Sequence, residues 1–202
     1  MSKRIPQKIN SIEKKERLAE TCYYLACQTP YESITISEIC DRAKVSVGTF
    51  YSYFDSKSDI IKYSIMNYSK PILFPIYNNI NLLKFKKNTV IKTITKMINI
   101  SIDTISMTKS SYKNILSIIL SSDEYLEIYK QLLNEELNII YNKCIQNTFT
   151  DNNLKETINI TQNMINNFVF DYIIKNINYI DFESQKTLLE KHLLLLWEKH
   201  TK

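Results

Sequence analysis

Apolar residues recur along most of this chain at helical spacing. Leu18, Cys22, Leu25 and Ala26 fall at i, i+4, i+7 and i+8, one stripe on a helix predicted over Ser11–Thr29. Glu13, Lys14, Lys15, Glu16 and Arg17 crowd its first turns on the exposed side. A second stripe, Ile36, Ile39, Cys40 and Ala43, predicts a two-turn helix. Thr35, with Glu38 three residues on, is its capping box: the hydroxyl takes one unpaired helix N–H and the carboxylate another. Lys44 and Val45 make a turn, and Ser46 is a good N-cap for a helix over Val47–Tyr53. On that helix Phe50 and Phe54 point into a core, and Gly48, Thr49, Ser52 and Tyr53 point away from it. Val47 and Tyr51 sit at the boundary. Ser56 and Asp59 then cap a further helix through Ile60, Ile61, Ile65 and Tyr68, which stops before Pro71.

Beyond Pro71 the helical period continues with polar breaks. The pattern predicts a short helix over Ile72–Phe85, straight or kinked, and another over Thr89–Met107, with Ile91, Ile94, Ile98, Ile102 and Ile105 on one face. After a break at Thr108–Ser110 come Tyr112–Leu120 and a long amphipathic helix over Asp123–Phe149. The second of these carries Leu126, Tyr129, Leu133, Leu137, Ile140, Tyr141 and Cys144. The break Thr150–Asn153 precedes Leu154–Asn178, and Phe182–Lys199 ends the series. The fold class is all-α. Pro71 and Pro75 interrupt helical hydrogen bonding and mark the boundary between two domains, 12–72 and 73–202, with no flexible spacer. The last two helices are apolar on more than one side, which requires burial on more than one face. One face packs inside the subunit and the other meets a second copy, with Leu194 and Trp197 the expected interface positions.

Composition narrows this only a little. The chain has 202 residues, one glycine and four prolines, too little turn chemistry for a hairpin-rich fold. A net charge of +5 permits nucleic acid without requiring it. No stretch reaches the roughly 18 apolar residues of a membrane helix, and MSKRIPQKIN lacks the apolar core of a secretion signal. A cytoplasmic location is expected. Lys3, Arg4 and Lys8 make that terminus either a frayed end or a basic arm. Cys22, Cys27, Cys40 and Cys144 show no C-x-x-C spacing and read as buried small residues. His192 and His200 have no partner in a repeated spacing, so neither a metal site nor a cofactor is expected.

Two short helices joined by a tight turn are helix-turn-helix geometry, whose second helix enters the DNA major groove. Gly48 is the chain's one glycine and costs roughly 1 kcal/mol against alanine inside a helix. Close approach of its backbone to a phosphate or base edge is a plausible compensation. Thr49 offers a hydroxyl and a methyl to a base edge. Tyr51 and Tyr53 offer phenol hydroxyls to phosphates, and Lys57 lies at a helix N-terminus where an ammonium and backbone N–H groups can hold one phosphate.

From about Ile12 to Tyr68, the run RLAETCYYLACQTPYESITISEICDRAKVSVGTFYSYFDSKSDII resembles the TetR family of bacterial transcriptional regulators. The likeness is carried by Thr35 before the first short helix, by Val45-Ser46-x-Gly48-Thr49-Phe50-Tyr51, and by Tyr53-Phe54-x-Ser56-Lys57. It implies an N-terminal helix-turn-helix, about 35–54, within a three-helix DNA-binding domain, followed by a C-terminal ligand-binding and dimerisation bundle. It implies DNA contact from Thr35, Ser37, Val47, Gly48, Thr49, Tyr51, Tyr53 and Lys57, and so turns Tyr51 towards the duplex. Cys22 and Cys27 stand where the family puts alanine. Pro30 and Lys44 stand where it usually has glycine. Proline cannot adopt positive φ and lysine does so at a cost, so a slightly altered exit from the first helix is expected.

The implied function is that of a ligand-responsive regulator, a repressor. It binds a pseudo-palindromic operator as a homodimer through its last two helices and is released by a small apolar or amphipathic inducer. Met97, Tyr112, Tyr125 and Tyr129 are pocket candidates, although aromatic residues at helical spacing are more often plain core, and no ligand-binding residue is assigned. An enzyme is not expected, because the sequence has no nucleophile elbow, phosphate loop or H-E-x-x-H. The alternative is a non-enzymatic helical interaction protein with a non-functional helix-turn-helix. The outward hydroxyls of Thr49, Ser52 and Tyr53 speak against it.

Overall fold

A computed structural model of the chain describes residues 4–86, 89–145, 153–175 and 179–201. Among them every regular element is a helix, and two compact units form, Met1–Lys70 with Ser110–Lys130, and Pro71–Lys109 with Gln131–Lys202.

The first unit opens with α1 (Arg4–Gln28), which begins before the predicted Ser11, so Arg4–Asn10 are helix and Met1–Lys3 lie outside the described residues. Its stripe is buried as predicted, with Leu18, Ala19, Cys22 and Leu25 fully enclosed. The chain then bends through Pro30 into a 3₁₀ turn, Tyr31–Ser33. Three short helices follow: α2 (Ile36–Ala43), α3 (Val47–Phe50) and α4 (Lys57–Tyr68). α1 packs on α2 and α4 around Ile39, Cys40, Phe50, Phe54, Ile60, Ile61 and Ile65, all buried.

Polar bonds join α1 to α4. Tyr63 donates to Glu16 Oε1 at 2.6 Å, Tyr68 donates to Oε2, and buried Ser64 donates to the Ala19 carbonyl at 2.9 Å. The phenols hold the Glu16 carboxyl below its ordinary value, Tyr63 first and Tyr68 second. The remaining members of this unit are α8 (Lys109–Ile119) and the first turns of α9 (Asp123–Ile145). Tyr125 hydrogen-bonds Ser58 at 3.0 Å and meets Tyr31 edge-on, Glu124 pairs with Lys62 at 2.7 Å, and Asn114 donates to the Cys27 carbonyl. α4 is therefore clasped by α1 and by the start of α9.

The second unit departs from the predicted Ile72–Phe85 helix. In its place stand α5 (Lys70–Leu73), α6 (Pro75–Asn79) and a 3₁₀ turn, Ile80–Leu82. Pro75 forces the break: Phe74 before it is driven out of the helical region, to φ −129 and ψ 76, as proline demands of its predecessor. α7 (Val90–Met107) packs on α6, α10 (Leu154–Lys175) and α11 (Tyr179–Thr201), and α10 packs on α11. The predicted α9 end at Phe149 and the break at Thr150–Asn152 lie outside the described residues, as does the predicted α10 end, Asn176–Asn178.

Two faces differ from the pattern. On α7, Ile91 is exposed, and the buried stripe is Val90, Thr93, Ile94, Met97, Ile98, Ser101 and Ile105. On α9 the stripe is rotated by about one residue, so Tyr125, Leu132, Glu136, Ile140 and Cys144 are buried, while Leu126, Leu133 and Leu137 are only half-buried. On α11, Trp197 is 1% exposed and its Nε1 donates to Thr161 Oγ1 at 2.8 Å, so it is interior to the protomer and not an interface residue. Leu188 and Leu195, two turns apart on the same helix face, are more than half exposed.

Candidate nucleic-acid interface

Each end of the helix pair is set by bonds between residues close in sequence. Thr35 adopts extended backbone as the N-cap of α2 and accepts the Glu38 N–H at 3.1 Å. The return half of the predicted capping box does not form, because Glu38 pairs with Arg42 one turn on, at 2.9 Å. At the other end Lys44 takes φ 53, the one non-glycine positive φ among the described residues. Its N–H reaches Asp41 O at 3.2 Å, and Val45 N–H reaches Cys40 O at 3.0 Å. These two bonds are a Schellman motif, completed by contact-ready apolar residues Val45 and Cys40, both buried. Lysine accepts here a conformation that costs roughly 1–2 kcal/mol for a side chain bearing Cβ.

The three-residue turn Lys44–Ser46 then starts α3. Ser46 Oγ accepts the Thr49 N–H at 3.2 Å and shares a 2.8 Å hydrogen bond with Thr49 Oγ1. Ser56 caps α4 in the same way, accepting the Asp59 N–H at 3.1 Å. Phe50 and Phe54 anchor α3 from below, at 0% and 3% exposure.

The eight sequence-predicted residues fall into two groups. Thr35, Ser37, Val47, Gly48 and Tyr51 are exposed, and Thr49 is half-exposed with its hydroxyl on Ser46. A Cβ built on Gly48 meets nothing within 4 Å, so no internal packing requires glycine there. Tyr51 is 54% exposed and stands edge-on to Phe50.

Tyr53 and Lys57 are half-buried. Tyr53 OH hydrogen-bonds Ser11 on α1 at 3.0 Å. Lys57 Nζ donates to the Tyr31 carbonyl at 3.0 Å and lies 4.2 Å from the centre of its ring. Periodicity put Tyr53 outward and left Tyr51 at the boundary, whereas Tyr51 is exposed and Tyr53 half-buried. α3 ends at Phe50, so Tyr51–Tyr53 form a turn in which the helical angle between successive side chains no longer applies. Lys44 and Ser46, read from sequence as turn and cap alone, are exposed beside Val47.

The cysteines take no part. All four are free and buried, and burial pushes the Cys22 and Cys144 thiols up to about 12.

Residues 25–63, the stretch built above, match the family profile described as bacterial regulatory proteins, tetR family. Over 56 residues the chain is 39% identical to a protein of Bacillus subtilis (strain 168) described as the uncharacterized HTH-type transcriptional regulator YuxN. The matched stretch is 28% of this chain and 19% of that one. The chain thus spans well under two thirds of that relative's length.

Two solved structures share the fold over nearly the whole chain. A TetR transcriptional regulator from Rhodococcus sp. RHA1 superposes with a TM-score of 0.55 at 12% identity, covering 92% of this chain and 97% of that one. The fatty acid degradation regulator FadR from Bacillus halodurans does so with a TM-score of 0.59 at 16% identity, covering 90% and 94%. At such identities the likeness is one of fold. Taken with the capped helix pair and its Schellman turn, these matches mean that residues 25–63 are similar to bacterial regulatory proteins of the tetR family and that the chain shares the fold of two solved bacterial regulators.

Proposed function

We propose that the protein is a cytoplasmic transcriptional repressor that binds a pseudo-palindromic operator as a homodimer and is released by a small amphipathic molecule. The observation that carries this reading is the exposed start of α3. Val47, Gly48 and Tyr51 project from a helix pair locked by caps at both ends, with open space where a Gly48 side chain would be. A rigid, side-chain-free approach of this kind suits a duplex groove. Thr35, Ser37 and Thr49 complete the contact set. Tyr53 and Lys57 support it from behind, each through a bond to a neighbouring element, and Lys57 keeps ammonium hydrogens beyond the one given to Tyr31.

Release works through α4. That helix carries the clasp residues Ser58 and Lys62 held by the first turn of α9, and Tyr63 and Tyr68 held by α1. A ligand that favours a conformation with this clasp altered reorients α3, by no more than its differential affinity for the two states.

The test is a gel shift, at stated salt, on DNA flanking the protein's own gene. Wild type should retard one fragment, and Tyr51→Ala should weaken binding while leaving the dimer intact. Failure to shift any genomic fragment would leave a helical interaction protein in its place.

A further inference from the structure

The run Val45–Phe54, which carries α3, holds no charged side chain and no amide. Its exposed positions are Ser46, Val47, Gly48, Tyr51 and Ser52, with Thr49 half-exposed. The small hydroxyls are already engaged within the chain. Ser46 Oγ accepts the Thr49 N–H and shares a bond with Thr49 Oγ1, and Ser52 Oγ donates to the Gly48 carbonyl at 3.3 Å. What the first turn of α3 offers besides these is hydrocarbon. Val47 is 44% exposed, and Thr49 adds the methyl of a side chain whose hydroxyl is held by Ser46. Gly48 stands between them, where even a Cβ would meet nothing within 4 Å, so nothing there keeps a partner at a distance.

Base edges in the major groove differ in what they require. Guanine and adenine are read by bidentate hydrogen bonds from Arg, Lys, Asn or Gln, and cytosine donates to Asp or Glu. Thymine presents a C5 methyl group, which takes apolar contact. Val47 makes none of the hydrogen bonds, and a single hydroxyl such as that of Thr49 makes no bidentate pair. The cations nearby lie off the helix. Arg42 is on α2, paired with Glu38 at 2.9 Å, and the first helix of such a pair crosses the DNA backbone. Lys44 is exposed in the turn, and its ammonium is a point charge suited to a phosphate.

We infer that the operator half-site is recognised through thymine C5 methyl groups, met by Val47 and the Thr49 methyl, and not through hydrogen bonds to guanine. The inference rests on the DNA-binding reading above and adds the base that the protein selects. Lys44 and the Tyr51 hydroxyl are left for phosphates, which fix position and carry no sequence information.

The test selects duplexes from a random pool with the full chain, then titrates the selected duplex with thymine or uracil in its half-sites. Uracil keeps the hydrogen-bonding atoms of thymine and lacks only the methyl. Selected half-sites should be fixed by thymine. Each uracil at a fixed position should weaken wild type about fourfold, the transfer value of one methyl-sized group, and the same exchange outside the half-sites should do nothing. The slope of affinity against salt should be equal for the two duplexes, because the methyl bears no charge. Val47→Ala and Thr49→Ser should each bring the thymine-to-uracil ratio towards one while still binding DNA. Thr49→Ser retains the hydroxyl that bonds Ser46, so this variant keeps the fold, as circular dichroism will verify. Half-sites fixed by guanine, uracil as good as thymine, or a ratio unmoved by both variants overturns the inference and leaves DNA binding standing. A pool from which no duplex is enriched overturns the DNA-binding reading along with it.

Discussion

Two single residues each cost the fold stability. Gly48 has room for a side chain and no positive φ, so glycine there is a stability loss with no packing reason. Gly48→Ala should stabilise the chain by about 0.5–1 kcal/mol and weaken operator binding, read by denaturant titration and gel shift on the same preparation. A gain in both would remove Gly48 from the interface. Glu136 is the second case. Its folded carboxyl stands near 8 against an ordinary 4.5, through burial. Between those values the folded state keeps a proton that the unfolded chain has lost, so stability falls as pH rises through the window and levels off above about 8. Glu136→Gln should abolish that slope and be the more stable protein by a few kcal/mol above it, measured by urea unfolding across the range.

Among the elements, α4 decides most. Its helix is started by Ser56, its outer turns are clasped by α9 and its inner face by α1. The Glu16–Tyr63–Tyr68 cluster is a charge-assisted pair of bonds, stronger than neutral ones. Because the Glu16 carboxyl is lowered by the two phenols, its contribution is complete above the ordinary carboxylate range and disappears as pH falls through the lowered folded value. Tyr63→Phe together with Tyr68→Phe should lower stability at neutral pH and flatten its decline in acid, followed by thermal melts. If α4 also transmits the ligand's effect, the same variant should respond to inducer at altered concentration. The start of α3 is as local a matter: Ser46→Ala removes the bond to the Thr49 N–H and should cost about 1 kcal/mol.

At the scale of the molecule, the proposed dimer turns on the outer face of α11. Leu188 and Leu195 are exposed there, whereas Trp197 is bonded inside. Leu188→Asp with Leu195→Asp should therefore yield a folded monomer by sedimentation, and Trp197→Asp should yield an unfolded chain. A persisting dimer in the first case would move the interface elsewhere. Sequence alone determined the caps at Thr35, Ser46 and Ser56, the turn at Lys44, the inward Phe50 and Phe54, and hence the helix-turn-helix, because each depends on bonds or spacing within a few residues. Tertiary structure decided what local pattern leaves degenerate. It set which of two apolar faces α9 buries, and so brought Glu136 inside. It also ended α3 at Phe50, which turned Tyr51 out and Tyr53 onto Ser11. Helical period ranks faces by apolarity, but neighbours choose the face that is covered, and a carboxyl in the covered stripe is the outcome such a ranking least expects.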